Sequence, residues 1–399
     1  MGQVAGAPNS SVVLTRWKGA LYGSVEGMPE GSYELRSRRD GPLELFRILN
    51  EHQPGCEMTD ADFVQAALSG PDNFAATSLA DVTGDSPIDI VIGYNDQARV
   101  ILGGSVFNPN DNGAIEAKIL TAVANANIAY DNSNIQLDLR LAWLGQIDYV
   151  YPAGETFNRA LNEIIDPDDG NADRLAVLKA LYQADFASMW LESSVSGGRA
   201  SVLLSALQRD RAYNVVRAQN STLTFVHEVG HNQGCRHIRS SYSSTPSSWT
   251  PYAFAHQFTG SDLNVYLTVM ASVGNTQDAG GTRILHFSNP DVLFQSVPTG
   301  LDAVDDTART LNENATTYSA FYEAPRSEVS IMASATEVQL GQSFSFVGES
   351  YELRRTTDPS QPGALWDNLG TFMGDNSGDL TASDNGNGLP NAFYQWRQP

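Results

Sequence analysis

The run His227-Glu228-Val229-Gly230-His231-Asn232-Gln233-Gly234-Cys235-Arg236-His237 constrains this chain more than any other stretch. It reads H-E-x-x-H-x-x-G-x-x-H, and it gathers three of the six histidines of a 399-residue sequence. On an α-helix, residues four apart lie one turn above each other on the same face. His227 and His231 can therefore aim imidazole nitrogens at one metal ion. Glu228 is rotated off that line by roughly 100°, beside the metal rather than on it, where a general base belongs. Gly234 reaches positive φ without steric cost and suits a helix end. The chain can then turn and return His237 as a third ligand. Three protein ligands and an open fourth position describe a catalytic rather than a structural zinc site. A helix with satisfied surface histidines explains neither the glycine nor the third histidine. The apolar Leu223-Thr224-Phe225-Val226 before the motif suits a buried helix start.

With those residues in view, the motif resembles that of the metzincin metallopeptidases. About thirty residues after the third histidine comes Leu267-Thr268-Val269-Met270-Ala271-Ser272. By resemblance Met270 is the methionine of the turn that supports the zinc ligands, and a core methionine filling a gap is the plain reading beside it. Further on, Phe287-Ser288-Asn289-Pro290 and Asp305-Asp306-Thr307-Ala308-Arg309 are similar to the end of bacterial reprolysin-like peptidases. The match covers residues 87 to 324 in outline, with its specific motifs in the second half. Two departures narrow it. Ile238 stands where adamalysin-type members carry Asp after the third histidine. Ser272 stands where astacins and serralysins carry a zinc-binding tyrosine. The resemblance implies an α+β catalytic domain, a mixed twisted sheet with an active-site helix. It also implies a secreted zinc-dependent metalloendopeptidase with Glu228 as general base and His227, His231 and His237 as zinc ligands.

Four segments are expected. Residues 1–60 alternate short apolar runs with glycines, as antiparallel strands do, and resemble the end of a propeptide. Residues 61–86 form a linker or activation region. Residues 87–325 hold the catalytic unit, whose pattern of strand, helix, strand, helices, strands and motif helix implies a mixed sheet with helices packed on it. In this pattern Ala114–Tyr130, Thr156–Ile165 and Asp173–Ala184 are helical. Strands fall at Ile88–Tyr94, Leu137–Trp143, Phe186–Leu191, Arg199–Leu204 and Tyr213–Val216. By resemblance Arg199–Leu204 is the cleft edge that binds an extended peptide. Residues 326–399 look like the opening strands of an immunoglobulin-like module, shorter than the ~100 residues that fold usually takes, as in a truncated copy.

The chain carries 24 basic and 46 acidic side chains, a formal charge of −22. Such a surface disfavours nucleic acid and anionic membranes, and no stretch reaches the ~18 apolar residues of a membrane span. A protein or peptide substrate and a monomeric state are expected. Met1–Gly6 lacks the basic and apolar regions of a signal peptide, so a secreted form would have a leader outside this sequence. Calcium is a secondary expectation at Gly374–Asp379 and Asp384–Gly388, and Asp166–Asn171 raises the same question. Plain polar turns are the alternative at each.

The two cysteines, Cys56 and Cys235, leave three possibilities. A Cys56 thiolate can fill the fourth zinc position and silence a zymogen, as propeptide cysteines do in several metzincin families. The two can form a disulfide, or both can be unpaired. His256 and His286 read as core or supporting histidines and His52 as a surface residue. Two functional alternatives stay open: a non-proteolytic surface or adhesive protein with a structural zinc, and a zinc hydrolase of a non-peptide substrate. The loop Val273–Thr282 is expected to shape the pocket for the residue after the scissile bond.

Overall fold

The computed structural model describes residues 1–37, 42–49, 53–59, 62, 86–203, 206–242, 250–272 and 280–322, then 329–333, 338–342, 347, 350–357, 367–374, 380–384 and 393–397. Most of the expected linker, His52, the loop 273–279 and the glycine-rich stretches at 375–379 and 385–388 lie outside these residues.

The first unit is an antiparallel meander of β1 (Gly2–Val4), β2 (Ala7–Trp17), β3 (Ala20–Glu26), β4 (Tyr33–Ser37) and β5 (Leu43–Arg47), paired in sequence order. The second is built on a five-stranded sheet. Its strands are β6 (Ser86–Tyr94), β7 (Leu137–Gln146), β8 (Phe186–Leu191), β9 (Gly198–Ala200) and β10 (Tyr213–Arg217), in the order β7-β6-β8-β10-β9. All neighbours run parallel except β9, which pairs antiparallel with β10 at the edge. The sheet is buried on both faces. Ile88, Ile90, Ile92 and Tyr94 of β6 join one core and Val91 the other, so β6 reads as a nearly continuous apolar run.

Short α1 (Asp96–Ile101) follows β6, and the long α2 (Gly113–Asn132) leads to β7. The helices α3 (Phe157–Ile165) and α4 (Asp173–Leu181) line the second core, packing Phe157, Leu161, Ile164, Leu175 and Leu178 there. On the first face lie α2 and α5 (Thr222–Asn232), with α6 (Thr307–Tyr318) adding Leu311 and Tyr318. These positions agree with the sequence reading to within a few residues. The edge strand does not: expected over Arg199–Leu204, it ends at Ala200. The Ser201 carbonyl accepts instead from Asn232 Nδ2 (2.8 Å), which also donates to Tyr213 O (2.8 Å). A buried amide on α5 thus takes the acceptor that a longer ladder would need.

The meander lies on α2, which explains an anomaly of that helix. Glu116, Lys118, Thr121 and Asn125 are fully buried, yet buried polar groups are costly unless paired. Each has a partner on the meander. Trp17 Nε1 donates to Glu116 (2.7 Å), and Lys18 forms an ion pair with it (2.8 Å). Lys118 pairs with Glu34 (3.1 Å), Thr121 donates to Thr15 Oγ1 (2.7 Å) and Asn125 to Ser24 Oγ (2.9 Å). An interface joined by polar pairs leaves a hydrated helix face behind if the meander departs.

Glu26 of this interface is buried and accepts from Ser32 Oγ. Burial pushes its carboxyl up to about 8, against hydrogen bonding from Ser32 and the nearby Arg283 and Lys118, while Glu34 adds to the rise. A folded-state pKa above the unfolded one contributes stability that is complete below the unfolded value of 4.5 and is lost as pH rises through about 8. The thermal midpoint of the intact chain should fall across that window, and Glu26→Gln should flatten the fall. Asp185, pushed up to about 7 by burial, acts in the same direction. The difference between wild-type and E26Q melting curves, pH by pH, isolates Glu26; parallel curves would refute the assignment.

Beyond residue 322 the described residues form two three-stranded antiparallel sheets. One joins Val329–Ala333, Val338–Gln342 and Leu380–Asp384; the other joins Asp367–Met373, Ser350–Thr356 and Phe393–Arg397. Among the described residues, no helix is long and apolar enough to cross a membrane.

Candidate metal centre and active site

The motif helix α5 starts where β10 ends. Ser221 caps it, its hydroxyl accepting from Leu223 N (3.2 Å), and every residue of the helix is buried. His227 and His231 face the same point. Gly234 takes φ +82°, the left-handed conformation that ends the helix and reverses the chain. The next residues, Arg236–Ile238, form β11, which pairs parallel with β12 (Phe254–Ala255) and carries His237 back. The Nε2 atoms of the three histidines close a triangle with sides of 3.1, 3.0 and 3.0 Å.

The protonation pattern follows from the outer nitrogens. Nδ1 of His227 lies 2.9 Å from Val269 O, and Nδ1 of His231 lies 2.8 Å from Cys235 O. A carbonyl only accepts, so each Nδ1 carries the hydrogen and each Nε2 turns a lone pair inward. Burial holds all three imidazoles in the neutral form. His231 is lowered to about 4, and His227 and His237 fall well below the usual range. Converging lone pairs repel each other unless a cation lies between them. Bonds of about 2.0–2.1 Å from a tetrahedral zinc would place such nitrogens about 3.3 Å apart, within a few tenths of an ångström of the observed triangle. The donor set fits zinc.

The fourth direction is taken by Cys56. Its Sγ lies 3.6 Å from His231 Nε2 and 3.7 Å from Glu228 Oε2. The ligand atoms of Cys56, His227, His231 and His237 lie within 4.8 Å of one another. Without a cation the thiol is held protonated, first by burial and then by the Glu228 carboxylate. Cys235 is a buried thiol in the core, and both cysteines are free. The Cys56–Cys235 disulfide is thereby excluded: Cys56 faces the metal site, while Cys235 packs among apolar side chains under the helix end.

Cys56 reaches this place on an extended segment that crosses the cleft along β9, in a parallel bridge with Gly198. Gly197 N donates to Gly55 O and Glu57 N to Gly198 O, both at 3.0 Å. Asn220 Nδ2 donates to Pro54 O (3.2 Å), and Arg199 Nη1 to Glu57 O (2.9 Å). The Glu57 carboxylate accepts from Asn158 N (3.2 Å) and Ser196 Oγ.

Two close approaches require glycine. A Cβ on Gly197 would stand 2.0 Å from Pro54 O, and one on Gly198 would stand 2.1 Å from Glu228 Oε1. The Glu228 side chain thus lies flat against the edge strand. Its Oε1 is buried with no hydrogen-bond partner, and burial raises its carboxyl to about 8. Gly198→Ala should cost about 1–3 kcal/mol of stability through overpacking and displace Glu228. A lowered urea midpoint together with reduced hydrolysis would register both effects; unchanged values would show that the strand simply gives way.

Met270 lies in the turn closed by Ala271 N donating to Thr268 O (2.9 Å). It is fully buried, and its Sδ packs where a Cβ on Gly230 would come within 2.2 Å. The same turn supplies Val269 O, which orients His227. Sequence reasoning placed these residues but missed Tyr242, whose Oη accepts from His237 N (2.9 Å) and whose ring stacks on His237 with centroids 6.2 Å apart. It also missed Gly197 and Gly198, although a Gly-Gly pair before a strand marks close backbone approach. Two further histidines stand aside: His256 Nδ1 meets Asp305 (2.9 Å), and His286 packs edge-on against Phe294. Asp166 and Asp169 accept from backbone N–H groups of their own loop, at Asp168 and Asn171, as polar turns do.

A mixed sheet, a helix carrying two histidines and a glutamate, and a third histidine after a turn define a metallopeptidase. The chain belongs to metallo-peptidase family M12, whose profile matches residues 87–287. It is 25% identical over 316 residues to the peptidyl-Asp metalloendopeptidase of Xanthomonas campestris pv. campestris, covering 79% of this chain and 70% of that protein. A peptidyl-Asp metalloendopeptidase of Stenotrophomonas maltophilia is 25% identical over 326 residues, covering 79% and 71%. Among solved structures, one described as a chaperone-substrate complex aligns with a TM-score of 0.44 and 21% identity, over 59% of this chain and 36% of that one.

Proposed function

We propose that this protein is a zinc metalloendopeptidase of the metzincin kind, held latent by its first 60 residues, that cuts proteins beside aspartate. The buried triangle of neutral histidines carries this reading, together with the Glu228 carboxylate beside it, whose Oε1 has no hydrogen-bond partner. His227, His231 and His237 hold the metal. Zinc, when bound, supplies a Lewis acid that polarises the scissile carbonyl and lowers the pKa of water. Glu228 takes a proton from the attacking water and delivers it to the leaving amine, a role suited by a carboxyl tuned towards neutrality. A purely structural zinc site has no use for a buried base with a free oxygen. Aspartate as the selected residue comes from the two relatives named for it. Secretion belongs to the same reading, by resemblance to that family.

Latency rests on the cleft segment. Cys56 supplies the fourth ligand, and its backbone lies along β9 where an extended substrate would pair. The segment runs parallel to that edge, with Cys56 opposite Gly198. The test is digestion of casein by the intact chain before and after limited nicking with trypsin, the trypsin then being quenched. Hydrolysis should appear on nicking and vanish with 1,10-phenanthroline. Chelator-resistant hydrolysis, or none after nicking, would overturn the reading.

A further inference from the structure

Arg283 is a buried cation that the reaction described above does not use. It is 3% exposed and belongs to β14 (Thr282–Arg283). That strand pairs parallel with β13 (Val265–Leu267), the strand entering the Met270 turn, with Arg283 opposite Leu267. Its side chain reaches the first turn of α5, where Nη2 makes a long 3.4 Å contact with Thr224 Oγ1. Thr224 precedes His227 by three residues. The Arg283 Nε is buried without a hydrogen-bond partner. A guanidinium presents a fork of N–H donors shaped for a carboxylate, and burying it unpaired is strongly unfavourable.

The charges around it come from two sources. Burial lowers the Arg283 pKa to about 10, opposed first by Glu26 of the meander and then by Glu228 and Cys56 of the site. Its positive charge acts in turn on His227 and His237. Glu26 keeps its proton up to about pH 8, so at neutrality it offers Arg283 only part of a counter-charge. Thr282 beside it donates to Pro29 O (2.9 Å), also in the N-terminal unit. Arg283 thus reaches the motif helix through Thr224, while its neighbour Thr282 bonds the N-terminal unit that also carries Glu26. Once that segment leaves, the guanidinium needs another carboxylate.

We infer that Arg283 is the specificity-determining residue of this peptidase: its guanidinium, buried between the motif helix and the strand that follows the Met270 turn, receives the carboxylate of an acidic substrate residue adjoining the scissile bond. The inference rests on the peptidase reading and names the residue that selects its substrate.

The test uses the full chain, nicked and quenched as above, on paired peptides differing only by Asp or Asn at one position, with cleavage sites read by mass spectrometry. The wild type should prefer Asp by roughly 100-fold or more in kcat/KM, because a buried charged group is left unpaired by the amide. Arg283→Gln should bring that ratio to within about threefold of unity, whereas Arg283→Lys keeps the charge and should retain part of the preference. Since R283Q alone removes a positive charge that acts on Glu26, the double variant E26Q/R283Q, neutral at both positions, gives a second route to folded protein. Calorimetric binding of a short Asp-containing product peptide to the nicked protein supplies a readout without turnover, and R283Q should lose the Asp-over-Asn difference there too. Undiminished discrimination in R283Q or E26Q/R283Q overturns the inference. So does a wild type that cuts without acidic preference, which leaves the peptidase reading standing. A wild type that cuts no peptide overturns both.

Discussion

Glu228→Gln is expected to lower kcat/KM on a protein substrate by about 10³-fold, the middle of the range for removal of a general base, with zinc content unchanged. The structure explains why the two effects should separate. On the proposed reading the three Nε2 atoms hold the metal, while the Glu228 Oε1 contacts no donor and lies against Gly198. An amide of the same shape fits that slot, and because burial already disfavours the charged carboxylate, its loss should leave folding stability nearly intact. His231→Ala is the contrast, since it removes a corner of the triangle and should release the metal together with activity. Zinc analysis by atomic emission beside casein hydrolysis distinguishes the two variants. An E228Q protein within tenfold of wild type would remove Glu228 from the mechanism.

The second large effect concerns latency. Cys56→Ser in the intact chain should raise hydrolysis by about 10²-fold over the silent wild type, a loosening of about 2.7 kcal/mol. Activation should be incomplete, because the backbone bonds of Gly55 and Glu57 to Gly197 and Gly198 survive the substitution. Nicking should therefore add further activity to C56S. Substituting cobalt for zinc supplies an independent reading: the intact wild type should show a sulfur-to-cobalt charge-transfer absorption that C56S lacks. A wild-type spectrum without that absorption would dismiss Cys56 as a ligand, whatever its distance from His231.

The parts of the site that could be read from the sequence are those whose geometry is local. His227, Glu228 and His231 lie on one helix, and Gly234 with its positive φ returns His237 within six residues of His231. Helical periodicity and the freedom of glycine are enough to bring these groups together. Met270 was legible only through resemblance, as its contact with Gly230 belongs to the packing of two separate elements. The core helices and strands followed from apolar periodicity. The edge strand came out short because Asn232, outside any strand pattern, claims the Ser201 carbonyl.

The sequence by itself determined the pattern behind the proposed chemistry: three histidines spaced as ligands, a glutamate beside them and an acidic chain ill-suited to nucleic acid. Only the tertiary structure decided what surrounds that chemistry. Cys56 is separated from His231 by 175 positions, and composition and spacing leave three readings of it open. The fold places its sulfur 3.6 Å from His231 Nε2 and buries Cys235 elsewhere, which leaves no disulfide to form. Gly198 against Glu228 and Arg283 against Thr224 are likewise contacts between elements distant in sequence. Spacing rules act through a single helix or turn and lose force beyond it, so such contacts depend on how the sheet, the meander and the motif helix pack together.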